Sequence, residues 1–503
     1  MRTETSRRGL AGLMGAATAV GVGELLAGLF TALPSPLAAI GGAVVDRSPP
    51  WFKDFAISAF GTADKTALAV GTALLAGAIG WLAGVVSRGR PAVVPVVFGG
   101  FGVLGAVAAF GEPDAEPLVV AAATLVAVAS GVLVFLGLAR AGGRADPTDG
   151  VPGDSSRRRF LGMAGAAGVV ALTAGVVGRR LSTSIPAAPL VEIGPVRHPA
   201  PVPGPEHMFA LDGLTPIVVP NSDFYRIDTA LVVPRVDLSR WTLRVAGMVD
   251  DPLTLRYDDL LAMDLVEDHV TIACVSNHVG GSLVGNARWT GVRLAEVLER
   301  AGLQPGATQV VGRSVDGFTV GFAPEVVFDG REPMIALAMN GDPLPAAHGF
   351  PARLIVPGLY GYVSATKWLS EIELTTWDGF DAYWVPRGWA KTAPIKTQSR
   401  IDLPRRRVAA GPVVVAGVAW APQDGVAAVE VAADGGEWVP GSLTEPLSSH
   451  AWVQWQATVD LAPGEHRVAV RATDGTGYTQ TAEPASPRPD GATGHHTVRI
   501  VAA

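Results

Sequence analysis

Long apolar stretches separated by short charged segments fill the first 180 residues of this 503-residue chain, and shorter hydrophobic runs broken by polar positions fill the rest. Five of the stretches approach or exceed the roughly 20 residues that a helix needs to cross about 30 Å of hydrocarbon. They are Leu10–Thr31, Thr66–Val86, Val93–Phe110, Pro117–Ala139 and Phe160–Gly178, of which the third is the shortest. The pattern predicts a membrane region of five spans over residues 1–180.

Charged residues orient these stretches. Arginines precede the first stretch (Arg7, Arg8), follow the second (Arg88, Arg90) and separate the fourth from the fifth (Arg140, Arg144, Arg157–Arg159), whereas the opposite loops are balanced or acidic. The positive-inside rule then places the N-terminus in the cytoplasm and everything after the fifth stretch outside the cell membrane. The charged segment 34–63 is predicted to lie at the lipid interface with Trp51 and Phe52 as anchors. Whether it or the third stretch crosses the bilayer stays open.

Three consecutive arginines stand immediately before the fifth stretch, in Ser156-Arg157-Arg158-Arg159-Phe160-Leu161. The segment resembles a twin-arginine export signal, which carries domains across a membrane already folded. An ordinary basic flank of a membrane span has the same residues, and the two interpretations are equally supported. A folded-export signal so far along a chain predicts that the downstream domain acquires a cofactor in the cytoplasm.

Two features of the apolar region argue against a cofactor within it. Gly100-Phe-Gly102-Val-Leu-Gly105 has the spacing of a dinucleotide-binding fingerprint, but it lies inside an apolar stretch with no strand before it. Close helix packing by small residues is therefore the favoured interpretation. No histidine precedes His198, so the stretches cannot hold a bis-histidine haem. We expect no haem in the chain and an anchor or docking surface in this region.

Short strands dominate the pattern after a proline-rich segment, residues 181–204, that is typical of a linker. Trp241–Gly247 alternates as a strand, and residues 269–275 form a β-branched run that leads to Cys274. Tyr257–Met263 has the pattern of a short helix, and Leu294–Ala301 that of a helix closed by Gly302. Short strands with few helices predict an α+β domain over residues 205–405.

Strands follow one another at short intervals over residues 406–503, with turns at Asp434-Gly435-Gly436 and Asp474-Gly475. They are Val413–Trp420, Ala427–Ala433, Trp452–Leu461, His466–Ala472 and His495–Ile500. This spacing predicts an immunoglobulin-like β-sandwich. Adjacent residues in a strand face opposite ways, so His495 and His496 are predicted to be a solvated pair and not a metal site.

Composition and charge narrow the chemistry. The formal net charge of −7 gives no reason to expect a nucleic-acid partner, and a single cysteine excludes an intramolecular disulfide. That cysteine lies in Thr271-Ile-Ala-Cys274-Val-Ser-Asn277-His278-Val-Gly280-Gly281, where a strand ends in a polar loop. A thiolate there can ligate a soft metal or act as a nucleophile. A small buried hydrophobe is an equally supported role for a lone cysteine.

Six motifs occur in one order between residues 205 and 500. They are Phe224-Tyr225-Arg226; Cys274-x-x-Asn277; Ala287-Arg288-Trp289-x-Gly291-x-Arg293-Leu294; Asp316-Gly317-Phe318; Met339-Asn340-Gly341-x-Pro343-Leu344-Pro345-x-x-His348-Gly349-Phe350-Pro351-x-Arg353; and Pro357-Gly358-x-x-Gly361-x-x-Ser364-x-x-Lys367-Trp368. With them, the region resembles the sulfite oxidase family of molybdopterin-dependent oxidoreductases. The C-terminal sandwich resembles that family's dimerisation domain.

The resemblance implies a molybdenum cofactor. By position, Cys274 would be the thiolate ligand to molybdenum, with Arg226 and Tyr225 beside the reacting centre. The resemblance further implies that the pterin and its phosphate are held by Phe224, Arg226, Asn277, Asp316, His348, Arg353, Ser364 and Lys367. The residue types agree, because a phosphate-bearing anion needs Arg and Lys for charge-assisted hydrogen bonds.

Several positions depart from the family pattern. His278 and Val279 stand where sulfite oxidases carry an arginine pair, and Asp228 stands where that family usually has His. Trp389 falls at the position of the active-site tyrosine, and Tyr225 and Tyr383 are alternatives for that role. The pocket is therefore expected to be less cationic than one built for the sulfite dianion.

We therefore expect a membrane-anchored, extracytoplasmic oxidoreductase that transfers an oxygen atom to or from a small oxo-substrate, as sulfite oxidases or sulfoxide reductases do. Its expected partners are the lipid bilayer, a separate electron-transfer partner and a second copy joined through the C-terminal domain. The alternative is a non-catalytic cell-surface binding protein that keeps the fold without the cofactor. Retention of Cys274 with the whole basic set argues against that alternative.

Overall fold

The chain folds into one helical unit and one unit rich in β-strands. The computed structural model describes residues 2–30, 32–49, 59–60, 64–112, 115–143, 154–183 and 191–503. The helical unit comprises Met1–Pro186 together with Thr229–Arg235, and the β-rich unit comprises Ala187–Asp228 together with Val236–Ala503.

The described part of the helical unit contains long apolar helices. They are α1 (Arg2–Leu29), α2 (Pro36–Arg47), α3 (Asp64–Val86), α4 (Val93–Phe110), α5 (Pro117–Gly143) and α6 (Asp154–Thr183). All except α2 are long and apolar enough, by length and composition, to cross a membrane. The five predicted stretches are thus confirmed as apolar helices, and their orientation in a membrane stays a prediction.

The helix ends show where an apolar window misjudges a boundary. Helix α4 has the predicted bounds Val93–Phe110, because Gly and Pro punctuate the sequence on either side. Helices α1 and α6 extend beyond the predicted stretches into the arginine-bearing flanks. Polar residues continue a helix readily, so loss of hydropathy does not mark its end. Of the predicted interfacial segment, Pro36–Arg47 is helical, and the proposed anchors Trp51 and Phe52 lie outside the described residues.

Small residues bring the helices of this unit into close contact. Helix α1 packs against α3, α5 and α6. A side chain at Gly12 of α1 would collide with the carbonyl oxygen of Gly80 in α3. Gly102, from the apparent dinucleotide fingerprint, lies so close to Val128 of α5 that an added Cβ would be 2.6 Å from its methyl group. Close approach of this kind is the usual function of small residues in apolar helix bundles.

Two sheets build the first part of the β-rich unit. One has the order β3 (Leu265–Ala273), β4 (Val284–Arg293), β7 (Met334–Met339), β8 (Asp342–Pro343), with β9 (Arg353–Ile355) also paired to β7. The other has the order β2 (Leu253–Leu255), β1 (Leu243–Gly247), β10 (Leu369–Thr375), β5 (Gln309–Ser314), β6 (Thr319–Phe322). Short helices connect them: α7 (Tyr257–Leu261), α8 (Leu294–Ala301), α9 (Glu325–Phe328) and α10 (Gly361–Ser364). The structure confirms the predicted pattern of short strands with few helices, and this part of the chain is rich in β-strands.

The sheets position the site because their central strands are buried on both faces. All six residues of β7 are buried, as is typical of a strand covered on two sides. Helix α8 has the predicted bounds and ends at Gly302, whose φ of +69° is unfavourable for residues with a side chain. Trp289 of β4 is fully buried in one core, where its ring faces Phe224 and the guanidinium of Arg353 at the start of β9. The buried sheets thus form a rigid platform for the loops that follow β3 and precede β9.

Two further sheets form the C-terminal part of this unit. One has the order β11 (Gln398–Leu403), β13 (Gly411–Trp420), β17 (Val453–Leu461), β16 (Ser442–Leu443). The other has the order β12 (Arg407–Val408), β19 (His496–Ala502), β18 (Gly464–Asp474), β14 (Val426–Ala433), β15 (Val439–Pro440). All five predicted strands are present within two residues of their predicted ends. The immunoglobulin-like assignment of these sheets stays a prediction.

The structure corrects the expected role of the histidine pair. His495 donates a hydrogen bond from Nε2 to the carbonyl oxygen of Gln480, 2.9 Å away, and its ring packs edge-on against Trp438. His496 Nδ1 accepts a hydrogen bond from the Ile401 amide, also at 2.9 Å. The prediction of a solvated pair was therefore wrong. The side chains do face opposite ways, but each of these two residues packs against another element.

The second half of the predicted linker lies along the edge of a sheet. The Arg197 amide donates to the carbonyl oxygen of Leu265 at 2.9 Å, and His198 forms a parallel bridge with Val266 of β3. Residues 184–190 of the same segment lie outside the described residues. A proline-rich segment was predicted to be a linker because proline has no amide to donate. The pairing seen here needs only a few amides along the edge of a sheet, so the prolines do not prevent it.

Candidate functional site

The loop that follows β3 carries Cys274 and is closed by its own backbone. The Cys274 amide donates to the carbonyl oxygen of Leu283 at 2.9 Å, and the Asn277 amide donates to the carbonyl oxygen of Cys274 at 3.0 Å. The buried Asn277 side chain completes the closure, since its Oδ1 accepts from the Leu283 amide at 2.9 Å. Cys274 itself is partly exposed. The predicted ligand thus stands in a fixed loop, and Asn277 has a visible role in holding that loop.

The environment of Cys274 favours the neutral thiol while no metal is bound. Burial raises the pKa of the thiol above its ordinary value, and hydrogen bonds from Ser276 oppose that rise only in part. A thiol becomes a metal ligand by losing its proton to the metal. Cys274 is therefore suited to a ligand role that depends on the metal and poorly suited to that of a free nucleophile.

Arg353, the first residue of β9, is a buried cation without an acidic partner among the described residues. The residue is 4% exposed, and its guanidinium lies 4.9 Å from the ring of Trp289. Nη1 donates to the carbonyl oxygen of His348 at 3.0 Å, while Nε has no hydrogen-bond partner in the described structure. Burial lowers the pKa of this guanidinium to about 10. A buried charge of this kind is costly unless an anion joins it.

His348 is the last residue of a single 3₁₀ turn, Ala346–His348, and is held as a neutral imidazole. Its Nε2 lies 2.9 Å from the carbonyl oxygen of Asn221. A carbonyl only accepts, so Nε2 carries the proton and Nδ1 is left as an acceptor. Burial lowers the pKa of His348 to about 4, and the charges of Arg353 and Arg226 add to that effect. His348 is thus a hydrogen-bonding group at neutral pH and contributes no positive charge.

Asp228 pairs with two of the predicted cofactor-binding cations. Its carboxylate is almost fully buried, forms an ion pair with Lys367 and lies 3.3 Å from Nη2 of Arg226. Lys367 also donates to the carbonyl oxygen of Ala347 at 3.3 Å and lies over the ring of Trp368. The structure therefore brings Arg226 and Lys367 together, as predicted, and adds a carboxylate that offsets part of their charge.

Phe224 and Tyr225 join this cluster from the segment before Arg226. The Phe224 ring is buried against Trp289 and His348, with ring centres 5.8 Å apart in both cases, and it stacks on Tyr225. Burial raises the pKa of Tyr225, and the nearby Cys274 thiolate would raise it further. Tyr225 is thus a permanent O–H donor beside Cys274 and Arg353.

The other candidates for the active-site tyrosine position lie in one aromatic cluster. Trp389 packs against Tyr362 and Trp384, and Tyr383 packs against Trp384 and Phe318. The guanidinium of Arg387 lies 3.7 Å from the centre of the Tyr383 ring. Of these residues, Tyr362 and the partly buried Trp384 and Trp389 belong to the same hydrophobic core as Phe224 and Tyr225. Tyr225 interacts electrostatically with Cys274 and, unlike Trp389, carries a hydroxyl group.

Two of the predicted binding residues have local roles in the structure. The buried Ser364 hydroxyl lies within hydrogen-bonding distance of the carbonyl oxygens of Leu359 and Tyr360. Asp316 Oδ1 accepts from the Phe318 amide at 3.2 Å and so stabilises the turn between β5 and β6. These contacts account for both side chains without a ligand.

The assembled groups fit a phosphate-bearing cofactor that supplies most of a metal's ligands itself. The described residues contain no group of three or more His, Cys, Asp or Glu side chains able to hold a metal ion. A metal at Cys274 therefore needs ligands from a cofactor, and dithiolene sulfurs match the softness of a thiolate. The buried guanidinium of Arg353 supplies the charge that such an anion requires.

Asn221, Arg400 and His496 were not predicted to belong to the site. Asn221 accepts from His348 through its carbonyl oxygen, and its side chain joins Asn340 Nδ2 at 2.8 Å. A proline before Asn221 was the only sequence signal of an ordered turn there. Arg400 and His496 lie more than 100 residues from the loop they contact, and no local pattern marks such long-range pairs.

Comparisons with known proteins identify the domain in which most of these residues lie. A family model described as the oxidoreductase molybdopterin binding domain matches residues 230–384. The uncharacterized oxidoreductase YuiH of Bacillus subtilis is 35% identical over 153 residues, which cover 30% of this chain and 74% of that protein.

Two longer relatives share parts of the same region. Human mitochondrial sulfite oxidase is 28% identical over 349 residues, covering 58% of this chain and 63% of that enzyme. NADH nitrate reductase 1 of rice is 32% identical over 178 residues, covering 30% of this chain and 19% of that enzyme. The chain therefore spans less than two thirds of the length of either enzyme.

Proposed function

Since this chain belongs to the sulfite oxidase family of molybdopterin-dependent oxidoreductases, we propose that it catalyses two-electron oxygen-atom transfer to or from a small oxo-substrate. The observation that carries the proposal is the buried guanidinium of Arg353, which has no acidic partner among the described residues and which, like Cys274, interacts electrostatically with Tyr225. A pocket with a thiol and an uncompensated buried cation is built for an anionic, metal-bearing group.

Each side chain has a distinct part in the proposed site. Cys274 binds the metal, and Arg353 binds the anionic part of the cofactor, with Arg226 and Lys367 as further cations and His348 as a neutral hydrogen-bonding group. Tyr225 donates a hydrogen bond towards the substrate oxygen, because its raised pKa keeps the phenol protonated. When bound, the molybdenum cofactor supplies the two-electron chemistry, while the chain supplies orientation and electrostatics.

We propose that the substrate is a neutral oxo-compound, such as a sulfoxide, in preference to a dianion such as sulfite. Three features support this assignment. Asp228 offsets the charges of Arg226 and Lys367. His348 is neutral, and His278 and Val279 replace the arginine pair of sulfite oxidases. A doubly charged anion gains little at a site where Arg226 and Lys367 already have a carboxylate partner.

The proposed setting is the outer face of a cell membrane. The five apolar helices are long enough to span it, and the arginine distribution favours a cytoplasmic N-terminus. A segment with three arginines precedes the last of these helices, which is where an export signal for the folded, cofactor-loaded domain would lie. Electrons would pass singly to or from a separate partner that is bound to the membrane or diffuses along it. The C-terminal sheets are the proposed dimerisation surface.

The proposal is tested by assaying the purified full-length protein against both substrate classes. Sulfite oxidation is followed with an oxidised dye, and reduction of methionine sulfoxide or dimethyl sulfoxide with a reduced dye. We expect sulfoxide reduction with a kcat/KM well above that for sulfite oxidation. Faster turnover of sulfite would contradict the substrate assignment, and absence of any turnover by a metal-loaded protein would contradict oxygen-atom transfer.

A further inference from the structure

The end of the cysteine loop opposite Cys274 is held by side chains from the C-terminal sheets. The loop joins β3 to β4, and its last turn contains Gly280 and Gly281. The Gly281 amide donates to the carbonyl oxygen of His278 at 2.8 Å, which fixes the turn internally. Beyond that bond, the turn depends on contacts made by Arg400 and His496.

Arg400 of β11 binds the loop through its guanidinium group, which is held in place by further hydrogen bonds. Nη1 donates to the carbonyl oxygen of Gly281 at 2.9 Å, and Nη2 donates to the hydroxyl of Thr215 at 2.8 Å. Nε donates to Asp402 Oδ1 at 2.7 Å, and the residue is 9% exposed. Because the guanidinium is planar and all three nitrogens are engaged, it has one orientation, and that orientation sets the position of the Gly281 carbonyl.

His496 of β19 closes the other side of the turn. Its ring lies so close to Gly280 that an added Cβ would collide with ring atoms, and Gly280 has a φ of +75°. The ring is oriented by the hydrogen bond that Nδ1 accepts from the Ile401 amide at 2.9 Å. Since β11 and β19 belong to different sheets, both C-terminal sheets contribute to holding this turn.

We propose that Arg400 and His496 are positioning residues that fix the cysteine loop. Through them, the C-terminal sheets hold Cys274 in the position from which it binds the metal. The inference rests on the proposed role of Cys274 as the metal ligand. Backbone bonds tie Cys274 to Leu283 and to Asn277, so a displacement of the Gly280–Gly281 turn is transmitted directly to the ligand. Contacts made by residues that do not themselves bind the metal determine how accurately the metal ligand is oriented.

The single cysteine allows a direct test that needs no bound metal. The full-length protein is produced in a host that cannot make molybdopterin, and the rate at which the thiol reacts with 5,5′-dithiobis(2-nitrobenzoate) is measured. Loss of a hydrogen bond to a charged group or of the His496 packing should open the loop, so Arg400→Met and His496→Ala should react about tenfold faster than the wild type. Arg400→Lys keeps the charge but loses the forked hydrogen bonds, so its thiol should react at a rate between those of the wild type and Arg400→Met.

Matched controls separate positioning from general destabilisation. Arg499→Met removes an exposed arginine from β19, and His495→Ala removes the neighbouring histidine that faces away from the loop. Both should react at the wild-type rate. Val431→Ala weakens the core of the C-terminal sheets and provides a reference of lowered thermal stability. Wild-type reactivity in Arg400→Met and His496→Ala, or the same acceleration in Val431→Ala at equal loss of Tm, would overturn the proposal.

A second measurement separates this inference from the proposed function. In protein from a molybdopterin-competent host, the absorption of the thiolate–metal bond should shift in Arg400→Lys and stay unchanged in Arg499→Met. If the wild type carries no molybdenum, the proposed function fails while the thiol kinetics still report on the loop. If the wild type is loaded and neither the kinetics nor the absorption changes, the positioning role fails alone.

Discussion

The guanidinium carbon of Arg353 lies 4.9 Å from the centre of the buried Trp289 ring. The ring and the carbonyl oxygen of His348 are its described partners, so this buried cation is stabilised by π-electrons and one carbonyl but by no carboxylate. A second arginine in the chain, Arg471, lies 4.2 Å from the Trp438 ring but also binds Glu430. Unlike Arg471, Arg353 has no carboxylate partner among the described residues, which identifies it as a binding site for an anionic ligand.

Replacing Arg353 should therefore have opposite effects on the empty and the loaded protein. Arg353→Met removes an uncompensated buried charge and should raise the free energy of unfolding of cofactor-free protein by about 2 kcal/mol. The same change should abolish retention of the pterin. Thermal unfolding and pterin fluorescence check both outcomes. Arg471→Met, which breaks an ion pair, should not stabilise the protein, and a destabilised cofactor-free Arg353→Met would refute this account of the charge.

Asp228 should control which substrate charge the pocket accepts. Asp228→Asn leaves Arg226 and Lys367 without their carboxylate partner, so an anionic substrate gains roughly one interaction with a desolvated cation. The ratio of kcat/KM for sulfite to that for a sulfoxide should rise about tenfold. Asp329→Asn, which disrupts a comparable pairing with Arg331 elsewhere, is the control and should leave the ratio unchanged. An unchanged ratio in Asp228→Asn would show that the carboxylate does not set specificity.

Acid should destabilise the cofactor-free protein through its buried histidines. Burial lowers the pKa of His348 from 6.5 to about 4 and also lowers those of His269 and His496. Below pH 6.5 the unfolded chain binds protons that these buried histidines do not bind in the folded protein. Their contribution to the free energy of unfolding is therefore fully present above pH 6.5 and is lost as the pH falls towards 4. For His348 the loss reaches about 3 kcal/mol at most.

Urea unfolding followed by tryptophan fluorescence measures this dependence. His348→Gln should flatten the loss between pH 6.5 and about 4. His466→Gln should leave the loss in place, because Asp434 raises the pKa of the exposed His466 and so gives its contribution the opposite sign. Stability that stays constant or rises as the pH falls would contradict a neutral, buried His348.

Export in the folded state predicts a strict need for the arginines before α6. Replacing Arg157, Arg158 and Arg159 together by lysine keeps the local charge but removes the twin-arginine signal, so the β-rich unit should stay inside the cell. Protease added to intact cells should then no longer digest it. Replacing Arg179 and Arg180 by lysine at the far end of α6 is the control and should not alter digestion. Unchanged accessibility of the triple variant would favour an ordinary basic flank.

The sequence predicted those features that depend on neighbouring residues. Apolar length located the five helices, Gly302 marked the end of α8, and a β-branched run placed Cys274 at the end of a strand. Family motifs pointed to Arg226, His348, Arg353 and Lys367 as one set, and their joint role in binding a cofactor stays a prediction. Each of these signals is either local or carried by an ordered motif.

What the sequence could not predict depends on contacts between distant positions. Nothing near Asp228 indicates that it pairs with Lys367, and nothing near His348 indicates that burial removes its charge. The histidine pair 495–496 was judged by its strand alone, so the cysteine loop packed against His496 was missed. The charge state of a side chain and its contacts with residues distant in sequence are set only when the chain has folded.

Molybdenum content tests the central claim most directly. Full-length protein purified from a molybdopterin-competent host should contain close to one molybdenum per chain, and Cys274→Ser should lose the metal. Ser276→Ala, which alters the same loop without removing the thiol, should keep it. Wild-type protein that contains no molybdenum, although its host loads other molybdenum enzymes, would contradict the account.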